Sequence, residues 1–132
     1  MIYALDSDIL SYMFKNYKDV QLNFDNIIGD ADFYSIPPIV YYEVKRGLIY
    51  MKSNVKLKAL DELYNGSVKN DIMTMEIWEK AIDLYTKLKL QGKTIGDGDI
   101  FIASFCIIND YVLITNNAKY FNIIKELKTI NL

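Results

Sequence analysis

Three acidic or amide clusters, Asp6-Ser7-Asp8, Asp97-Gly98-Asp99 and Asn116-Asn117, together with Glu43, hold the oxygen atoms with which this chain could do chemistry. Histidine is absent and Cys106 is the only cysteine. Hard oxygen ligands gathered in this way point toward magnesium or manganese. A single thiol inside the apolar run IFIASFCII can build neither a thiolate zinc site nor a redox pair, so Cys106 reads as core filler.

These groups lie far apart in sequence, and the elements between them must bring them together. Ile2 to Leu5 is a short apolar run ending at Asp6, which suits a buried parallel strand, and Asp8 or Ser7 can cap a helix through Leu10 and Phe14. A second helix is predicted over Val20 to Ile28, and a strand over Phe33 to Ile36. Pro38 fits the first turn of a helix that carries Val40, Val44 and Leu48 on one face. Lys56 to Tyr64 reads as helix ending near Asn65-Gly66, Asp71 to Thr74 as a short strand, and Ile77 to Leu90 as a long amphipathic helix closed by Gly92. Asp97 then caps a helix through Ile108, Tyr111 to Thr115 is a strand, and Thr129 to Leu132 supplies an edge strand. Strands alternating with helices indicate an α/β domain around a mostly parallel sheet. In such sheets the ligand crevice lies beyond the carboxyl ends of the strands, where Asp6 and Asn116-Asn117 both fall.

Glu43 belongs to the argument through its helix. Val40, Glu43, Val44, Gly47 and Leu48 form one stripe at helical spacing, so a carboxylate is written into an otherwise inward face. An unpaired charge there costs several kcal/mol, on the order expected for buried ions, and a bound cation would resolve the conflict. Gly47, one turn on, leaves room beside it. Each group also has a plainer reading. Asp6-Ser7-Asp8 is equally a helix cap, with Asp8 the better cap and Asp6 the better ligand. Glu43 can pair with Arg46 at a three-residue spacing. Asp97 and Asp99 suit the positive end of a helix dipole, and Asn116-Asn117 suits a turn.

The composition, 52% hydrophobic and 24% charged over 132 residues, fits one globular domain spanning 1–132. No apolar run reaches the ~20 residues a bilayer span needs, and no basic leader precedes the first apolar stretch, so a cytoplasmic protein is expected. A net charge of −2 gives no support by itself for binding nucleic acid. Bound divalent cations would offset much of that negative charge.

The order LDSDIL, YYEVKRGL, IGDGDIFIA and ITNNAKYF resembles the PIN-domain ribonucleases, specifically the VapC-type toxins of toxin–antitoxin pairs, over nearly the whole chain. The resemblance implies a three-layer α/β domain with a mostly parallel central sheet flanked by helices. It also implies a divalent-metal-dependent endoribonuclease that cuts RNA, commonly transfer or ribosomal RNA. Matched position by position, Asp6, Glu43 and Asp99 stand at the family's three acids and Asn117 at its last ligand, an aspartate or asparagine. Asp97 is an accessory ligand or a cap. Ser7 and Asp8 stand where the family often has threonine and asparagine, and Thr115 and Asn116 complete the supporting set. One or two Mg2+ or Mn2+ ions would activate water with help from a carboxylate, as a chain without histidine requires.

RNA must also be held, and Lys45, Arg46, Lys52, Lys93 and Lys119 are the candidates. Arg46 is the sole arginine, so bidentate phosphate recognition is nearly unavailable. The resemblance further implies a homodimer and a small antitoxin that blocks the acidic groove. Two other readings stay open: a phosphatase or phosphotransferase that forms an aspartyl phosphate on Asp6, and a PIN-like interaction module without catalysis.

Overall fold

The computed structural model of the chain describes residues 1–15, 19–29 and 33–132, and within them four strands and seven helices alternate. Strands β1 (Ile2–Leu5), β2 (Phe33–Ser35), β3 (Val112–Thr115) and β4 (Thr129–Asn131) make one wholly parallel sheet in the order β2-β1-β3-β4. The helices are α1 (Ser7–Lys15), α2 (Val20–Ile28), α3 (Pro38–Tyr50), α4 (Asn54–Asn65), α5 (Met75–Leu90), α6 (Asp97–Asn109) and α7 (Ala118–Phe121). They flank the sheet, which is why the central strands read as short continuous apolar runs. Ala4, Leu5 and Leu113 are fully buried, whereas edge residues Phe33 and Ile130 reach solvent.

The order of the strands decides where a site can form. From β1 the chain crosses to β2 on one side of it, then returns through α3 to α6 to build β3 on the other side. The gap between the carboxyl ends of β1 and β3 is therefore a topological switch point, where loops diverge and leave a crevice. Leu5 pairs with Ile114, and the Asp6 N–H donates to the Ile114 carbonyl at 3.0 Å, so the ladder sets Asp6 beside Thr115.

Helix α6 is the central buried helix. Ile100, Ile102, Ala103, Phe105 and Cys106 are all buried, which leaves it apolar nearly all round. It packs on α5, where Trp78 meets Phe101 edge-on with ring centroids 5.0 Å apart. Cys106 is the core filler its sequence context indicates, and burial pushes its thiol pKa far up.

Several local expectations are corrected. Asp71–Thr74 is not a strand: it has no regular structure and Ile72 is exposed, and the nearby contact with the sheet is a single backbone bond from Val68 to Tyr34 of β2. Among the described residues the Asp71–Thr74 backbone makes no ladder bonds to either edge strand, and a stretch without a paired neighbour is not a strand. Helix α5 begins earlier than predicted, at Met75, because the Thr74 hydroxyl accepts the Ile77 N–H at 3.3 Å. Helix α4 likewise starts at Asn54. Gly96, not Asp97, is the N-cap of α6, and Asp97 takes the first helical position with no side-chain cap. At α1 neither Ser7 nor Asp8 is the cap: Ser7 opens the helix, and the Asp6 carbonyl accepts the Ile9 and Leu10 N–H groups.

Candidate active site

Asp6 is 7% exposed and both of its carboxylate oxygens are held. The Ser7 N–H donates to Oδ1 at 2.8 Å, and the buried Thr115 hydroxyl donates to Oδ2 at 2.7 Å. Thr115 Oγ1 also accepts the Asn117 N–H at 3.0 Å, so one hydroxyl ties the end of β1 to the start of α7. A carboxylate so placed accepts two charge-assisted bonds, which offset the cost of its burial.

Glu43 reaches the same crevice from α3. Val40, Val44 and Leu48 bury the rest of its stripe, and the half-buried Glu43 accepts the Ser7 hydroxyl on Oε1 at 2.9 Å. The predicted pairing with Arg46 does not form. Arg46 turns to Tyr42, donating to its hydroxyl at 3.1 Å and lying over its ring. Gly47 has open space at its Cβ position and lines a groove of about 290 Å3 with Ser7, Phe14, Glu43 and Met51.

The first turn of α6 closes the other side. A Cβ at Gly98 would stand 3.3 Å from Glu43 Oε2, and one at Gly96 would stand 3.8 Å from Asp99 Oδ2. Asp99 is half-buried, and its carboxyl is raised above the ordinary 3.8 by burial first, then by the charges of Asp6 and Glu43, with Asp8 adding to them. The Tyr120 hydroxyl, bonded to Asp99, works in the opposite direction. Burial and then Asp6 likewise raise Asp8, against the Asn116 N–H that bonds its Oδ2 at 3.2 Å. Asp8 Oδ1 is buried with no hydrogen-bond partner. Carboxyls at Asp8 and Asp99 raised by burial and by the charges beside them, and a buried carboxylate oxygen without a donor, fit a hard cation bound among oxygen ligands. As the side chains stand, no three of the described Asp, Glu or Cys groups close onto one point to hold an ion.

Asn117 is exposed at the N-cap of α7, makes no side-chain cap bond, and is tied to the site through its backbone N–H on Thr115. Asn116 is exposed beside it, and contributes its backbone N–H to Asp8. Asp97 points elsewhere: it is exposed and lines an apolar groove with Trp78, Tyr85 and Phe101, while the charges acting on Asp99 are Asp6, Glu43 and Asp8. Among the predicted cations, Lys45 bonds Tyr41 at 2.8 Å and Lys52 turns the chain after α3 with φ 55°. Lys93 and Lys119 lie on the opposite side, before α6 and on α7. Sequence reading missed Tyr120, whose hydroxyl accepts the Gly96 N–H at 3.1 Å and bonds Asp99. Its signal was its place three residues after Asn117, one helical turn along.

A family model for the PIN domain matches residues 3–127 of the chain. The chain belongs to the PIN-domain family. Among its relatives is Ribonuclease VapC1 of Haemophilus influenzae strain R2866, 30% identical over 132 residues, covering 97% of this chain and 96% of that protein. Ribonuclease VapC1 of Methanocaldococcus jannaschii is 44% identical over 122 residues, covering 92% and 80%. The crystal structure of VapBC2 from Rickettsia felis, bound to a DNA fragment from their promoter, superposes on this PIN fold with a TM-score of 0.84, 27% identity and coverage of 100% and 99%. The PIN chain is thus of VapC type over its length, and its parallel sheet flanked by helices is the fold the motifs implied.

Proposed function

We propose that this PIN-domain chain is a divalent-metal-dependent endoribonuclease, one nuclease domain over residues 1–132, acting in the cytoplasm as the toxin of a toxin–antitoxin pair. The observation that carries the reading is the meeting of Asp6, Glu43 and Asp99 at the β1/β3 switch point, with Asn117 tied to it through Thr115. Its relatives are named ribonucleases, and the solved relative is a VapBC complex, which supports RNA as substrate and a small antitoxin as partner.

The residues present fit Mg2+ or Mn2+, with Asp6, Asp99 and Glu43 as principal holders, Asn117 as a neutral fourth and Asp97 at most an outer one. When bound, such an ion supplies charge to offset a phosphodiester in reaction and lowers the pKa of water. The chain's own part is positional. Thr115 and the Ser7 N–H fix the Asp6 carboxylate, the Ser7 hydroxyl fixes Glu43, and Tyr120 fixes Asp99. Glu43 has one oxygen bonded to Ser7 and the other beside the Cβ-less Gly98, which leaves it placed to accept a proton from an attacking water. The aspartyl-phosphate reading loses ground because the chain is a PIN domain whose relatives are named ribonucleases. A homodimer is part of the proposal.

Sequencing of RNA ends after expression of the wild type beside Asp99→Asn tests the reading. New ends at defined positions in transfer or ribosomal RNA, present with the wild type and absent with the variant, are expected. Identical end profiles would overturn it.

A further inference from the structure

A second groove lies between the C-terminal half of α5 and the segment that follows α7. It encloses about 490 Å3 over a floor of Leu84, Leu88 and Ile124, with Lys87, Lys93 and Lys125 on its rim. The floor residues are at most 5% exposed, so the surface is built and closed beneath. Glu126, the acid on the same rim, is paired with Lys80 at 2.6 Å and the exposed Lys87 with Asp83 at 3.1 Å, which leaves Lys93 and Lys125 as the rim cations outside those pairs.

Each wall of this groove is joined to the acidic site by a few residues of chain. Gly92, at φ 71°, turns the chain out of α5, and Lys93 lies three residues before Gly96, whose N–H is held by Tyr120. Ile123 to Lys125 begin three residues after Tyr120, and the Tyr120 hydroxyl bonds Asp99. A strand whose phosphate sits among the carboxylates has this cationic channel beside it, past α7 and its exposed Lys119. On the α3 side of the crevice Lys45 donates to the Tyr41 hydroxyl and Arg46 to that of Tyr42, while Lys56 lines the smaller groove beside Ser7 and Glu43.

Building on the nuclease reading, we propose that the α5/α7 groove is the track that holds RNA outside the reacting phosphodiester, with Lys93 and Lys125 as its phosphate contacts. The floor is aliphatic and offers no aromatic face for a base to stack on, so the track grips backbone and does not read sequence. It also accounts for how a chain of net charge −2 holds a polyanion: the local field along one groove is positive although the sum is not.

The test uses Lys93→Ala/Lys125→Ala and, as its counterpart across the crevice, Lys45→Ala/Arg46→Ala. Each is measured on an RNA of about 20 nucleotides and on a dinucleotide, with Mg2+ at several salt concentrations. For the groove pair, loss of two single-strand phosphate contacts lowers the salt slope by about 1.4 and raises KM for the long RNA roughly 10–30-fold near 0.1 M salt. Turnover of the dinucleotide stays at the wild-type level, and the α3 pair leaves all three quantities unchanged. Fluorescence anisotropy of the long RNA, with Ca2+ replacing Mg2+, reads the groove apart from catalysis. Wild-type binding and salt slope in the groove pair, or the loss appearing in the α3 pair instead, would overturn the track. A wild type that binds RNA with this lysine dependence yet cleaves neither substrate would overturn the nuclease reading and leave the track standing.

Discussion

Gly98→Ala separates stability from activity at the heart of the site. Gly98 lies in the first turn of α6, and alanine is the better helix former by up to about 1 kcal/mol, partly because it restricts the unfolded chain. For a chain of this length that gain corresponds to a rise in Tm of about 3–4 °C. The added Cβ, however, meets Glu43 Oε2 at 3.3 Å, so the carboxylate must retreat by a few tenths of an ångström. Glu43 is a flexible side chain and can do this cheaply, but the move strains its bond from the Ser7 hydroxyl and shifts it relative to Asp99. Displacement of a catalytic group on that scale lowers turnover by roughly tenfold. The expected protein is therefore as stable as the wild type or more so, by calorimetric Tm, with RNA cleavage reduced at least several-fold in a gel assay. Undiminished cleavage would remove Glu43 from the machinery. A Tm lowered by several degrees would show that Glu43 cannot move aside and that the first turn of α6 is packed more tightly than the geometry indicates.

Thr115→Val keeps the shape of a fully buried residue but strips the donor from Asp6 and the acceptor from the Asn117 N–H, and urea unfolding should show a loss of about 2–3 kcal/mol. A variant as stable as the wild type would mean that neither bond matters. Tyr120→Phe should leave unfolding nearly unchanged while weakening Mn2+ binding about tenfold by calorimetry, because a partner that orients a ligand is lost; unaltered affinity would contradict its positioning role. The raised carboxyls of Asp8 and Asp99 set a pH dependence. Their folded values lie above the ordinary 3.8, so what they contribute is present at low pH and is lost as pH rises through the folded values. Mg2+ should accordingly raise Tm more at pH 7.5 than near pH 4, close to the ordinary value, and an equal shift at both would show that the cation does not bind these groups.

Much of this was legible in the sequence because the signals were strongly local. The apolar run before Asp6, Pro38 opening α3, and the Val40/Val44/Leu48 stripe each admit one packing, and the structure keeps them. The motifs also place Asp6, Glu43 and Asp99 in one neighbourhood, which the crossing from β1 through α3 to α6 realises. Other features depend on partners no local pattern names. The cap of α6 falls on Gly96 and not Asp97, since Tyr120 reaches across from α7 to hold the Gly96 N–H. Arg46 abandons Glu43 because Tyr42, one turn back, offers both a hydroxyl and a ring face. Asp71–Thr74 has strand-like residues but no free sheet edge that it pairs with, and Asn116-Asn117 hides the start of α7 behind a turn-like pair.

The central claim is that Asp6, Glu43 and Asp99 form a metal-dependent site that cuts RNA. Purified wild type, Asp6→Asn and Asp99→Asn, each first stripped with chelator, can be given a single labelled RNA with and without added Mg2+ or Mn2+. The account predicts cleavage by the wild type only when metal is restored, and none by either variant although both remain folded by circular dichroism. Cleavage by the wild type in chelator, or full activity in both variants, would contradict it.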